Sequence, residues 1–140
     1  MGSKHRQKSI NDSGWVYILH FTDKLSDHAQ HYVGFSKEPV TRMMNHINGY
    51  TRVRIIEACH EQGIGMVPSV IIPVPSRRSE RALKDIKNTK FYCKFCSPKK
   101  YQAYIDRFIR KELAKHNTMF PDGPDSGQGG KKNEGEAGTD

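Results

Sequence analysis

Two short apolar runs near the start of the chain constrain the fold more than any other feature. Residues 14–20 read GWVYILH and residues 30–35 read QHYVGF. Both are rich in β-branched and aromatic side chains, which suit the pleated, half-buried surface of a sheet. The polar stretch between them, residues 22–29, is too short for the crossover helix that parallel neighbours need. An antiparallel hairpin is therefore expected, and the later elements must pack on it.

The segments that follow alternate in type. In SKEPVTRMMNHINGY, Ser36 can cap a first helix, Pro39 is tolerated near its start, and Asn48-Gly49 supplies a stop. Val53, Ile56, Ala58 and Cys59, ahead of Gly63-Ile64-Gly65, predict a second helix over about 51–62. Residues 67–74, VPSVIIPV, read as a third strand whose prolines at 68 and 73 place it at an edge or make it irregular at its ends. Ser79 and Glu80 open a third helix that runs to Lys87, and a fourth is expected over 99–115. In the fourth, Tyr101, Tyr104, Ile105, Phe108, Ile109 and Leu113 recur at helical spacing as a packing face. The expected fold class is α/β of the α+β kind: ββααβαα, a small three-stranded, mainly antiparallel sheet flanked by helices.

At 140 residues the chain has room for one domain and not for a separate cofactor module. Residues 121–140 carry no aromatic or branched aliphatic side chain, so they cannot offset the entropy of ordering. The organisation expected is a basic flexible arm over 1–13, a folded domain over 14–117, and a Gly/Pro/acidic tail over 118–140. Removing the −3 of the last twenty residues from the net +8 of the chain leaves +11 on residues 1–120. A body this cationic suits a polyanionic partner, because phosphates neutralised by Lys and Arg release condensed counterions. No secretory signal and no apolar run of membrane-spanning length is visible, so an intracellular, soluble protein without a membrane partner is expected.

Chemistry-bearing residues gather around the hairpin. Each strand places a tyrosine among apolar neighbours, Tyr17 in WVYIL and Tyr32 in HYVG, with Gly34 leading toward the first helix. On that helix Arg42 and His46 stand at i and i+4 and share a face. A guanidinium and an imidazole facing phenols make a phosphate-handling surface, since arginine matches phosphate oxygens bidentately.

In these residues the chain resembles the GIY-YIG nuclease superfamily. The first signature is Val16-Tyr17-Ile18, the second Tyr32-Val33-Gly34, the Arg-x-x-x-His step Arg42 and His46, and the helical glutamate Glu80. The resemblance covers about residues 14–96. It implies a divalent-metal-dependent endonuclease cutting nucleic-acid, chiefly DNA, phosphodiester bonds. Tyr17 and Tyr32 would line the site, one of them acting as or beside the general base. Arg42 would hold the scissile phosphate, His46 would hydrogen-bond a tyrosine or the phosphate, and Glu80 would be the single carboxylate on Mg²⁺ or Mn²⁺. The chain departs from the pattern at Val16, where the namesake has glycine. Asn88, only eight residues past Glu80, stands for an asparagine the family often carries beyond its glutamate helix. A free phenol near pKa 10 is a poor base at neutral pH, so the mechanism needs a shifted tyrosine or a water relay.

Other candidates surround this set. Gly34, Lys37, Lys84, Lys87 and Asn88 are expected to contact substrate, and His20 and His31 to lie near the site. The lysines at 84, 87, 90, 94, 99 and 100, interleaved with Phe91, Tyr92, Phe95 and Tyr101, could grip a backbone and stack on bases, or form a solvated face. Cys93 and Cys96 are half of a zinc site, to be completed by Cys59 and His60 or by another chain; the plainer reading is two reduced thiols in a turn. Three function classes remain open: an active nuclease, a catalytically idle nucleic-acid-binding protein of the same fold, and a zinc-stabilised interaction module. A partner protein or a homodimer would supply specificity.

Overall fold

The computed structural model describes residues 13–27 and 29–119; the tail from residue 120 and nearly all of the arm expected over 1–13 lie outside the described residues. Strand β1 (Gly14–Phe21) and strand β2 (His31–Ser36) form the hairpin. Helices α1 (Pro39–Ile47) and α2 (Arg54–Glu61) follow, then strand β3 (Met66–Val74), helix α3 (Arg78–Ile86), a 3-10 turn (Thr89–Tyr92) and helix α4 (Tyr101–Met119). The sheet is three-stranded and antiparallel throughout in the order β2-β1-β3, an α+β fold.

The central position of β1 explains its nearly continuous apolar run. Alternate side chains of a strand point to opposite faces, and here both faces are covered. Val16 and Ile18 join Val33, Ile72, Leu83, Ile105 and Phe108 under α3 and α4. Tyr17, Leu19 and Phe21 join Met43, Ile56, Cys59 and Met66 under α1 and α2. The prolines of β3 are tolerated because it is an edge strand. Its register against β1 slips between Ile18 and Leu19, so that Val70 faces Ile18 while Pro68 faces Leu19 and Ser69 is left over as a bulge.

Several local expectations are modified. Ser36 ends β2 instead of capping the helix directly: its hydroxyl accepts from the Glu38 amide (2.9 Å), and the helix begins at Pro39. The second helix starts at Arg54, because Thr51 is buried and engaged elsewhere. Lys87 ends α3 in the left-handed region (φ 62°). Helix α4 reaches Met119, two residues past the boundary placed at 117. On α4 the packing face bends away from the expected stripe. Leu113 is exposed, and Glu112 is buried beside it, accepting from the Ser79 hydroxyl (2.8 Å) and pairing with Lys115 (2.7 Å). Satisfying those hydrogen bonds is what lets a carboxylate occupy a core-facing position.

Candidate functional site

The Tyr17 side chain is almost fully buried on the α1/α2 face of the sheet, and its phenol oxygen lies 2.8 Å from His46 Nε2. His46, fully buried on α1, lies 2.7 Å through Nδ1 from Thr51 Oγ1, and its carbonyl accepts from His60 Nε2 at 2.8 Å. Burial, reinforced by the Arg42 cation, lowers the His46 imidazole to about 4. A neutral imidazole has one N–H, so the chain Tyr17–His46–Thr51 carries its protons in a single direction.

The second-signature glycine has a steric cause. Gly34 stands directly opposite Tyr17 in the β1–β2 pairing, and a Cβ there would overlap the Tyr17 phenol. The tight approach seats the aromatic ring over bare backbone.

Three other elements approach this phenol. Tyr32 of β2 sets its ring 6.1 Å from that of Tyr17 and edge-on to His46 at 5.2 Å. Arg42 of α1 and Glu80 of α3 lie within electrostatic reach of the phenol, the cation lowering and the carboxylate raising its proton affinity. One turn along α3, Lys84 pairs with Glu80 at 3.0 Å and places its Nζ 5.9 Å from the Tyr32 ring centroid. Burial holds the Tyr17 phenol well above the usual range, with further upward pressure from Tyr32 and Glu80; the opposing pull of Arg42 is smaller. Cations at the site therefore do not supply the downward shift that a free phenolate base requires.

The remaining candidates are distributed differently. Lys37 is exposed in the turn before α1. Lys87 and Asn88 line a cleft of about 580 Å³ with Lys24, Gln30, His31 and Lys90, at the end of the hairpin where the loop joins its strands. Among the aromatics proposed to stack on bases, Tyr92 is buried against Phe108 and Phe91 stacks on Tyr104 at 5.4 Å, so both serve the packing of α4. Phe95 is exposed on one side and meets His20 at 5.2 Å on the other.

His20 and His31 do not adjoin the tyrosines. They face each other across the hairpin on the opposite side of the sheet, because each is an odd number of residues from its neighbouring tyrosine. There they meet Cys93 and Cys96: His20 Nδ1 is 3.4 Å from His31 Nε2, 3.4 Å from Cys93 Sγ and 3.7 Å from Cys96 Sγ, and Cys96 Sγ is 3.4 Å from His31 Nε2. The four ligand atoms lie within 4.8 Å of one another, a group that could hold a metal ion. Burial, with His20 alongside, lowers the His31 imidazole to about 4, and burial lowers His20 as well. Partial burial and the Cys93 thiol push Cys96 up to about 11. The expected complement of Cys93 and Cys96 is thus corrected. Cys59 is sealed in the α2 core and His60 is bound to the His46 carbonyl, whereas the cross-strand histidine pair stands at the cysteines. The signal was the antiparallel register: once Tyr17 pairs with Gly34, His20 must pair with His31.

No family model, curated protein or solved structure matches the chain. Among the described residues, no helix is long and apolar enough to cross a membrane.

Proposed function

We propose that the chain is a divalent-metal-dependent endonuclease of the GIY-YIG type, hydrolysing phosphodiester bonds of nucleic acid, with DNA as the expected substrate. The observation that carries this reading is the convergence on one buried phenol. Tyr17 is hydrogen-bonded to His46 and within interaction range of Tyr32, Arg42 and Glu80, which come from separate elements. The cationic surplus over residues 1–120 supports a polyanionic substrate.

The residues present fit a hard cation. Glu80 is half-buried with one carboxylate oxygen on Lys84, a partly exposed pair of the kind worth little and easily exchanged. A single carboxylate suffices for Mg²⁺ or Mn²⁺, which keep most of their waters. When bound, such an ion supplies Lewis-acid polarisation of the phosphate and neutralises charge on the leaving oxygen. Arg42, exposed on α1, binds the scissile phosphate through its planar fork and stabilises the charge of the transition state.

Proton transfer is assigned to the pair of Tyr17 and His46. With its affinity for the proton raised, Tyr17 stays protonated at neutral pH and works as a relay. It accepts a proton from the attacking water as it passes its own to His46 Nε2, while Nδ1–H donates to Thr51 Oγ1. The water oxygen bonds to phosphorus, the P–O bond breaks, the leaving oxygen takes a proton from solvent, and His46, whose burial disfavours the cation, gives its extra proton back through Tyr17 to solvent. Tyr32 walls the phenol and keeps it dry on the β2 side.

The test is a cleavage panel on linear, supercoiled, flap and four-way DNA and on single-stranded RNA, with Mg²⁺, Mn²⁺, Ca²⁺ or no added divalent ion. Cleavage in Mg²⁺ or Mn²⁺ of at least one substrate is expected. Tight binding with no cleavage of any substrate would replace this reading with that of a binding-only protein.

A further inference from the structure

The His20, His31, Cys93 and Cys96 cluster lies on the sheet face away from Tyr17 and plays no part in the proposed hydrolysis. We infer that these four side chains form a tetrahedral His2Cys2 zinc site whose role is structural. The geometry supports this strongly. A tetrahedral zinc with Zn–N about 2.05 Å and Zn–S about 2.3 Å has edges of about 3.3 Å between nitrogens and about 3.5 Å between nitrogen and sulfur. The nitrogen–nitrogen edge in the structure is 3.4 Å. The nitrogen–sulfur edges are 3.4, 3.7 and 3.4 Å. Hydrogen bonding alone does not demand such a figure, since side chains with at most one donor each have no reason to make these four edges short at once.

Ligand chemistry selects the ion. Two imidazoles and two thiols are borderline-soft donors that suit zinc and exclude magnesium or calcium, and two thiolates leave a Zn²⁺ site neutral. All four positions are filled by protein, so none is open for substrate or a reactive water, which marks the site as structural. The surroundings extend the pattern. The Ser69 hydroxyl, on the bulge of β3, donates to Cys93 Sγ at 3.2 Å and accepts the Lys94 amide at 2.9 Å, orienting the sulfur as outer-shell donors do.

The site joins parts of the chain that are far apart in sequence. Two ligands sit on the hairpin and two on the loop between the 3-10 turn and α4. His31 directly precedes Tyr32, so clamping the hairpin end holds the register that sets Tyr17 against Gly34. The occupant would therefore stabilise the sheet from the side opposite the phenols.

The protein purified without chelator from zinc-supplemented medium should contain one zinc per chain by elemental analysis. Exchange into Co²⁺ should give the intense visible bands of a tetrahedral site together with thiolate-to-cobalt charge transfer. Cys96→Ser and His31→Gln should each lose the bound zinc or shift the cobalt spectrum, whereas Cys59→Ala should keep one zinc. Removing the ion should lower the melting temperature by more than about 10 °C. Should a variant fail to fold, the cobalt spectrum and thiol count of the parent chain still decide. A parent with less than a tenth of an equivalent of zinc and no cobalt–thiolate bands overturns the assignment, as does a Cys93–Cys96 disulfide in reducing buffer. These readouts do not depend on DNA cleavage, so their failure and that of the nuclease reading are distinguishable.

Discussion

Gly34→Ala should damage stability and activity together, and the reason lies in one contact. The added methyl group would fall on the Tyr17 phenol, overlapping its oxygen and two ring carbons. Relief by backbone movement is opposed, because Gly34 is paired with Tyr17 of the central strand in the middle of the β1–β2 ladder. Relief by ring rotation is opposed too, since Tyr17 is nearly fully buried with Leu19 and Met43 and its hydroxyl is held by His46. Overpacking of this kind costs about 1–3 kcal/mol, and at about 4–8 °C per kcal/mol for a domain of this size the melting temperature should fall by about 4–24 °C. A displacement of about 1 Å at a reacting group costs about a hundredfold in rate, so cleavage should fall by about that factor at temperatures where the variant is fully folded. The assay is a thermal melt alongside initial cleavage rates, with Gly65→Ala as the control. A Cβ at Gly65 would meet only Thr22 at 3.5 Å, ordinary van der Waals contact, so that variant should behave like the parent. If Gly34→Ala melts with the parent and cuts at its rate, the close packing of Tyr17 on Gly34 is wrong.

Two further outcomes follow from charge. His46 is held near 4 in the folded chain against about 6.5 when unfolded, so the unfolded state binds the extra proton between those values. The His46 contribution is fully present above about pH 6.5 and is lost as pH falls toward 4, a loss of about 1–3 kcal/mol. His46→Gln should flatten that part of the stability–pH curve measured by denaturant unfolding; an unchanged slope would remove the buried neutral imidazole. Binding to duplex DNA in magnesium-free buffer should weaken steeply as salt rises from about 50 to about 200 mM, by about a hundredfold or more if several phosphates are contacted. A flat response in a binding titration would dismiss the cationic body as the nucleic-acid contact.

The fold was legible in the sequence because its signals are local. The two apolar runs, the short loop between them and the prolines of the third strand state a hairpin plus an edge strand, and the antiparallel sheet has that arrangement. Element ends were less legible, since Ser36 spends its hydroxyl on a turn amide instead of capping, and Thr51, near the expected start of the second helix, is turned to His46. On α4, periodicity marks Leu113 as apolar, but only the packed structure reveals that Ser79 draws Glu112 inward in its place. Spacing put Arg42 and His46 on one helical face, but it could not reveal that His46 would be buried or that burial would drive Tyr17 upward, because desolvation depends on what packs above a residue. The metal-ligand cluster was hidden for a related reason. Its histidines are adjacent only across the strands, so no linear motif contains them.

Replacement of the carboxylate assigned to the ion tests the central claim most directly. Glu80→Gln removes the charge while keeping the size of the side chain at a half-buried position on α3. Nicking of supercoiled plasmid in Mg²⁺ should drop by about a thousandfold or more, while duplex binding in magnesium-free buffer and the melting temperature stay close to those of the parent. A Glu80→Gln protein that nicks the plasmid at the parental rate would contradict the account, because hydrolysis would then proceed without the group assigned to hold the ion.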